Sequence, residues 1–282
     1  MMKIQIYKEF FKSSNQFFID VDFSMKKGSF NALYGGSGSG KTSILNVISG
    51  IKYADKGKIS ISDIVWLDTE NKINLPVNKR KIGVVFQNSV LFPHLSVYEN
   101  ILFSKDKNDS FDLMNELIEL FSISDLLNYS TDILSGGQKQ KVAIVRALIR
   151  NPDLLLLDEP FSAIDTEQRK QIQDSLLKAH QKLKFTALVI SHDLEEVVRL
   201  SENIFMIENG KIVKEGSAFS LFENKDEQEF IKLSGIILSI ERVEAVQKMK
   251  VLIGNEIHTI EKEKTNHQIG DRVEIEAKKS RI

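Results

Sequence analysis

The sequence predicts an α/β fold: a mostly parallel sheet layered with helices, carrying a helical insert and followed by a small β appendage. An apolar stretch, Phe30-Asn31-Ala32-Leu33-Tyr34, runs as a strand into a glycine-rich turn, and a helical pattern follows over 42–49. Residues 154–157 and 187–190 are continuous apolar runs, as expected of strands buried on both faces of a parallel sheet, and helical stretches at 140–150 and 167–183 precede them. After residue 225 the composition changes to alternating, β-branched segments at 234–246, 250–260 and 272–277, with no strong helix between them.

The remaining elements follow in chain order. Residues 3–33 hold roughly alternating β-rich stretches, and 81–86 read as a further strand. Over about 90–150 the pattern turns helical, with helical spacing at 112–121 and 124–129 and polar loops between. We expect a main domain over 1–225, a linker near 224–235 and the β appendage over 236–282. Hydrophobic residues make up 42% and charged residues 27% of the 282, and the formal net charge is -1. That balance supplies no global field toward nucleic acid. The absence of cysteine excludes disulfides and thiolate metal sites, and fits a reducing compartment. Met1-Met2-Lys3-Ile4-Gln5 shows no secretory pattern, and no run approaches the roughly 18–20 apolar residues that span a bilayer. Work on a membrane would go through a partner that spans it.

Gly35-Gly36-Ser37-Gly38-Ser39-Gly40-Lys41-Thr42 satisfies the P-loop pattern between a strand and a helix, the context that gives the pattern its meaning. Glycines let backbone N–H groups turn inward around phosphate oxygens, and the helix start adds a favourable dipole. Lys41 brings a cation to the β- and γ-phosphates, and the Thr42 hydroxyl is a Mg²⁺ ligand; Ser43 completes the nucleotide-binding set. The apolar strand 154–157 ends in Asp158-Glu159-Pro160. A carboxylate at the C-terminal edge of a central strand sits beside such a loop. Asp158 is therefore a candidate metal ligand and Glu159 a candidate general base for a water in line with the γ-phosphate. On its own, an Asp-Glu pair after a strand is often just a solvated turn.

Leu134-Ser135-Gly136-Gly137-Gln138 precedes another helical stretch, with Ser135 placed as its N-cap and two glycines exposing N–H groups. In isolation this is a plain helix cap. Here it is a second anion site, which one P-loop does not require. The segment resembles the signature of the ATP-binding-cassette family, and the resemblance extends over 3 to about 220. Gln87 looks like the family's Q-loop glutamine, a further metal and nucleotide contact. Ser162-Ala163-Ile164-Asp165 resembles the D-loop, with Ile164 where Leu is commoner, and His192 looks like the switch histidine that contacts the γ-phosphate. The resemblance implies an ATP hydrolase using ATP and Mg²⁺ in a head-to-tail dimer, with Ser135, Gly136, Gly137, Gln138 and Asp165 reaching the nucleotide of the other copy. It also implies an adenine-stacking aromatic some 20–25 residues before the P-loop. Phe10 and Phe11 lie there, and Phe11 is the candidate; the alternative is a hairpin core position.

The resemblance is to transport ATPases on the cytoplasmic face of the cell membrane, which act with transmembrane permease subunits and, indirectly, a solute-binding protein. Leu91, Phe92 and Leu95, in the proline-interrupted stretch after Gln87, would form a groove for a permease helix, or else pack locally in the insert. The stretch 38–50, with Lys41-Thr42-Ser43, is most similar to molybdate-importer ATPases, which carry a C-terminal β regulatory domain; 236–282 reads as a shortened, OB-like copy. The cargo expected is molybdate or a related oxyanion, the alternative being sulfate, tungstate, iron, a sugar or a polyamine. A repair or ribosome-associated cassette usually has two cassettes or a long coiled coil, neither present here. A non-catalytic module would lack Glu159 or His192.

Overall fold

The computed structural model describes residues 1–12, 15–105, 111–222, 230–243, 246–254, 256–263 and 267–278. The chain divides into two compact units, Met1–Glu223 and Asn224–Ile282.

The first unit opens with a hairpin, β1 (Met2–Lys12) and β2 (Asn15–Met25), which joins β4 (Lys56–Ile61), β5 (Ile64–Asp68) and β6 (Ile73–Asn74) in an antiparallel sheet ordered β2-β1-β4-β5-β6. The central sheet runs β11-β10-β3-β9-β8-β7, built from β3 (Phe30–Tyr34), β7 (Ile82–Val85), β8 (Leu154–Asp158), β9 (Thr186–Ser191), β10 (Asn203–Glu208) and β11 (Lys211–Gly216). Every neighbouring pair from β10 to β7 is parallel, and only the edge strand β11 is antiparallel. Helix α1 (Lys41–Ser49) follows β3. The insert holds α2 (Val97–Phe103), α3 (Phe111–Leu120) and α4 (Gly136–Leu148); α5 (Thr166–Leu183), α6 (Leu194–Leu200) and α7 (Ala218–Phe222) complete the unit.

The period of two along β8 divides the core. Leu155 and Leu157 pack with Val97, Leu117, Phe121 and Leu148 of the helical side. Leu154 and Leu156 face the other way, with Ile44, Leu45 and Ile48 of α1 and with Ile4 and Ile59 of the antiparallel sheet. Helix α1 is thus clamped between two sheets, which fixes the loop that precedes it.

The second unit is a four-stranded antiparallel sheet ordered β14-β13-β12-β15: β12 (Phe230–Val243), β13 (Val246–Ile253), β14 (Glu256–Glu263) and β15 (Arg272–Lys278). Ile237, Met249 and Val251 form its small core, flanked by Ile240, Ile260, Val273 and Ile275.

Some expectations change. Residues 250–260, read as one segment, are parts of two strands, because Gly254 (φ 59) turns the chain between them. The stretch 124–129 is not a helix but a single 3₁₀ turn, Ser124–Leu126, closed by Ile123 and Ser124 carbonyls. The appendage strands begin at Phe230, ahead of residue 236; of the linker expected near 224–235, residues 230–235 belong to β12 and 224–229 lie outside the described residues.

Candidate functional site

The parallel strands β3, β9, β8 and β7 end side by side, and their C-terminal edge gathers the P-loop, His192, Asp158-Glu159 and Gln87. Gly35 follows β3 where a Cβ would strike the Ile207 carbonyl of β10. Gly40 caps α1 at φ 102, and no side chain caps that helix start, so its first N–H groups stay available to an anion. Lys41 is buried, and its Nζ donates to the carbonyls of Gly35 (2.8 Å) and Gly36 (2.9 Å). Burial pushes its pKa down, against the nearby Glu159 and Asp158. Among the described residues no carboxylate pairs with this ammonium, so its charge is left for a ligand. The buried Ser39 hydroxyl likewise finds no hydrogen-bond partner among them. The Gly210 N–H donates to the Ser39 carbonyl (3.1 Å), fastening the loop to the β10–β11 turn. Gly36, Ser37, Gly38 and Thr42 are exposed, and Ser43 is half-buried.

Thr42 Oγ1 donates to Asp158 Oδ1 at 3.1 Å. Burial raises the Asp158 pKa, opposed by this hydrogen bond. A hydroxyl and a desolvated carboxylate side by side are the hard oxygen donors that suit Mg²⁺, the remainder of whose shell comes from phosphates and water. Glu159 stands in the left-handed region (φ 43), a strained conformation for a residue with a Cβ. Gln87 Nε2 donates to its Oε2 at 3.3 Å, and His192 Nδ1 lies 3.3 Å from its Oε1. A glutamine after β7 and a histidine after β9 thus bracket one carboxylate at the end of β8.

Ser135, Gly136, Gly137 and Gln138 form a separate group. Ser135 Oγ accepts from Gln138 N–H (3.3 Å), and Gln138 Oε1 accepts from Ser135 N–H (2.9 Å), a reciprocal capping box on α4. A Cβ on Gly136 would sit 3.5 Å from the Ala163 carbonyl, and one on Gly137 would strike Gln168. The signature therefore abuts the D-loop, where Asp165 Oδ1 caps α5 by accepting from Gln168 N–H (3.0 Å). The Phe11 side chain lies outside the described residues.

Residues 18–162 match the ABC transporter family. This chain belongs to that family. The cassette is 42% identical over 198 residues to the molybdenum import ATP-binding protein ModC of Vibrio parahaemolyticus, a match covering 70% of this chain and 53% of that protein. It therefore spans about half the length of that relative. It is 40% identical over 209 residues to a probable sulfate/thiosulfate import ATP-binding protein CysA of Chlorella vulgaris, covering 72% of this chain and 86% of that one. Among solved structures, the ATP-binding cassette MJ0796, in a dimeric post-hydrolysis state bound to ADP and Pi, aligns with a TM-score of 0.66 at 28% identity, over 77% of this chain and 99% of that one. The cbiO1 protein of Clostridium perfringens, at 24% identity and a TM-score of 0.67 over 80% of this chain and 91% of that one, shares the fold. The cassette is of the ATP-hydrolase class.

Several residues that position the cassette's site carried no signal in the sequence. Arg80, in the basic run Asn78-Lys79-Arg80-Lys81, is buried and donates to the carbonyls of Ile48 (2.7 Å), Leu75 (2.9 Å) and Trp66 (3.3 Å) and to Asn74 Oδ1 (3.0 Å). It thereby holds the last turn of the P-loop helix. Phe17 brings its ring within 3.2 Å of where a Cβ on Gly40 would stand. In the segment after Gln87, Leu91 packs on the main core, Phe92 and Leu95 are half-buried, and Val90 and Phe103 are the more exposed residues. The fully buried Asn100 shapes this segment, accepting from Phe92 N–H (2.8 Å) and donating to the Phe92, Leu95 and Ser96 carbonyls. Among the described residues no helix is long and apolar enough to cross a membrane.

Proposed function

We propose that this chain is the ATPase subunit of an importer, coupling Mg-ATP hydrolysis between two copies of itself to uptake of molybdate or a related oxyanion. The observation that carries the hydrolytic part is Glu159 bracketed by Gln87 and His192 beside the Thr42–Asp158 pair. Lys41 exchanges two carbonyl partners for phosphate oxygens, and the P-loop amides with Ser37, Ser39 and Ser43 cradle them. Thr42, Asp158 and Gln87 would hold Mg²⁺, which when bound neutralises charge developing on the phosphates. Glu159 takes the proton of the attacking water, and His192 orients that carboxylate and the γ-phosphate. Ser135, Gly136, Gly137, Gln138 and Asp165 complete the site of the other copy, and Phe11 stacks on adenine. The dimeric MJ0796 cassette supports this arrangement.

Transmembrane permease subunits, reached through the segment carrying Val90, Phe92 and Phe103, would hold the chain on the cytoplasmic face of the membrane, with a solute-binding protein acting indirectly. Residues 1–225 supply ATP handling and the appendage regulation. The ModC relative supports molybdate; the CysA relative, at 40% against 42% identity, supports sulfate as the second reading. Vesicles carrying this chain and its membrane partner decide the cargo. ATP-dependent uptake of molybdate unaffected by excess sulfate supports the first reading, and sulfate uptake that molybdate does not suppress replaces it.

A further inference from the structure

Arg169 lies one turn into α5, where its N–H donates to the carbonyl of the cap residue Asp165 at 2.9 Å. Its guanidinium serves two loops at once. Nη2 donates to the Ile164 carbonyl of the D-loop at 3.3 Å. Nη1 donates to Asp193 Oδ2 at 2.9 Å and lies 3.5 Å from Glu196 Oε1. Asp193 directly follows His192 and caps α6, accepting from Glu195 N–H (2.9 Å) and Glu196 N–H (3.4 Å). Glu196 is only 4% exposed and accepts from Ser191 Oγ (2.7 Å), and that same oxygen accepts from Asp193 N–H (3.0 Å). Residues 191–196 are thus a closed hydrogen-bonded ring holding the exposed His192 on its rim, and one guanidinium fastens the ring to the D-loop.

We propose that Arg169 is a positioning residue that makes the switch loop carrying His192 and the D-loop beside the signature move as one piece. The proposal rests on the reading of ATP hydrolysis between two copies, and it names how the phosphate side of one site is tied to the surface offered to the other copy. The planar fork fits this task, because its donors reach a carbonyl and two carboxylates in fixed directions; a lysine supplies a single point charge. The D-loop end of the link continues to the signature through the approach of Ala163 and Gln168 to Gly136 and Gly137.

The test compares Arg169→Ala and Arg169→Lys with the wild-type full-length chain. Amide hydrogen exchange is the first readout and is independent of turnover. Arg169→Ala is expected to speed exchange in 162–166 and 191–196 together; faster exchange in 191–196 alone would make Arg169 a local brace and overturn the proposal. Steady-state hydrolysis is the second. Arg169→Ala is expected to lower kcat about 10- to 100-fold with KM for ATP within about twofold, Arg169→Lys to fall between, and Arg169→Ala with His192→Ala to lose no more than His192→Ala alone. Losses that multiply in the double variant would overturn it. Arg169→Ala leaves the buried Glu196 without its cation, so Arg169→Ala/Glu196→Gln serves as the stability control. It should recover the melting temperature and keep the low kcat; recovery of both would overturn the proposal. A wild-type chain that hydrolyses no ATP would instead refute the hydrolytic reading, and the exchange comparison would still decide this one.

Discussion

Lys41 and Asp158 are both buried, and burial disfavours the charge on each. Their hydrogen-bond partners are carbonyls and a hydroxyl, which hold the groups in place without ion pairing and leave them open to phosphate and cation. These residues were legible from the P-loop pattern and the Asp-Glu strand end. Arg169 and Arg80 were not, because an arginine in a polar run looks the same whether its head is solvated or buried. His180 is another such case. It sits on α5 between the rings of Phe30 (5.3 Å) and Phe185 (5.0 Å), and burial pushes its pKa below the ordinary imidazole value, against the nearby Glu202. The unfolded chain takes up this proton near about pH 6.5 while the folded chain resists it, so stability falls as pH drops from there toward the depressed folded pKa. Raised carboxyls at Glu196 and Asp158 give the opposite slope, so the comparison must be between variants. Chemical denaturation between pH 7.5 and 5 should show a shallower loss for His180→Phe than for wild type; parallel curves would remove His180 as a cause.

Among the elements, the buried parallel strands announced themselves as apolar runs because both faces of β8 and β9 are covered. The antiparallel sheet was harder. β4 and β5 mix exposed and buried positions, and β6 has only two residues, leaving little pattern to read. In the appendage, the turn at Gly254 is too short to separate its flanking β-rich stretches, so the end of β13 and the start of β14 read as one segment. The P-loop helix α1 draws its rigidity from both sheets and from Arg80 at its last turn. Replacing Arg80 with Met would strand buried acceptors that the guanidinium now satisfies. We expect a loss of about 3 kcal/mol, or about 6–12 °C in melting temperature, with the residual folded protein still binding ATP. A shift under about 2 °C would mean water or neighbours replace the arginine.

Across the whole molecule, the residues that resemble nucleotide-handling motifs all lie in the first unit, Met1–Glu223, and the second unit supplies a sheet with its own small core. A truncation that tests this division belongs after Glu223, since a cut after residue 233 would leave part of β12 behind. The shortened chain should keep ATP binding and basal hydrolysis, measured by equilibrium binding and phosphate release. A folded truncation that no longer binds ATP would show that the appendage belongs to the nucleotide site.

Glu159, held by Gln87 and His192, is the group proposed to activate water against ATP bound at the P-loop. The most direct measurement is ATP hydrolysis and ATP binding by Glu159→Gln, alongside sedimentation with saturating ATP. The amide keeps the shape and removes the base. Glu159 acting as the base predicts wild-type ATP affinity in this variant, a fall in hydrolysis of about 10²–10⁴-fold, and an ATP-dependent dimer. Turnover near the wild-type rate would contradict it.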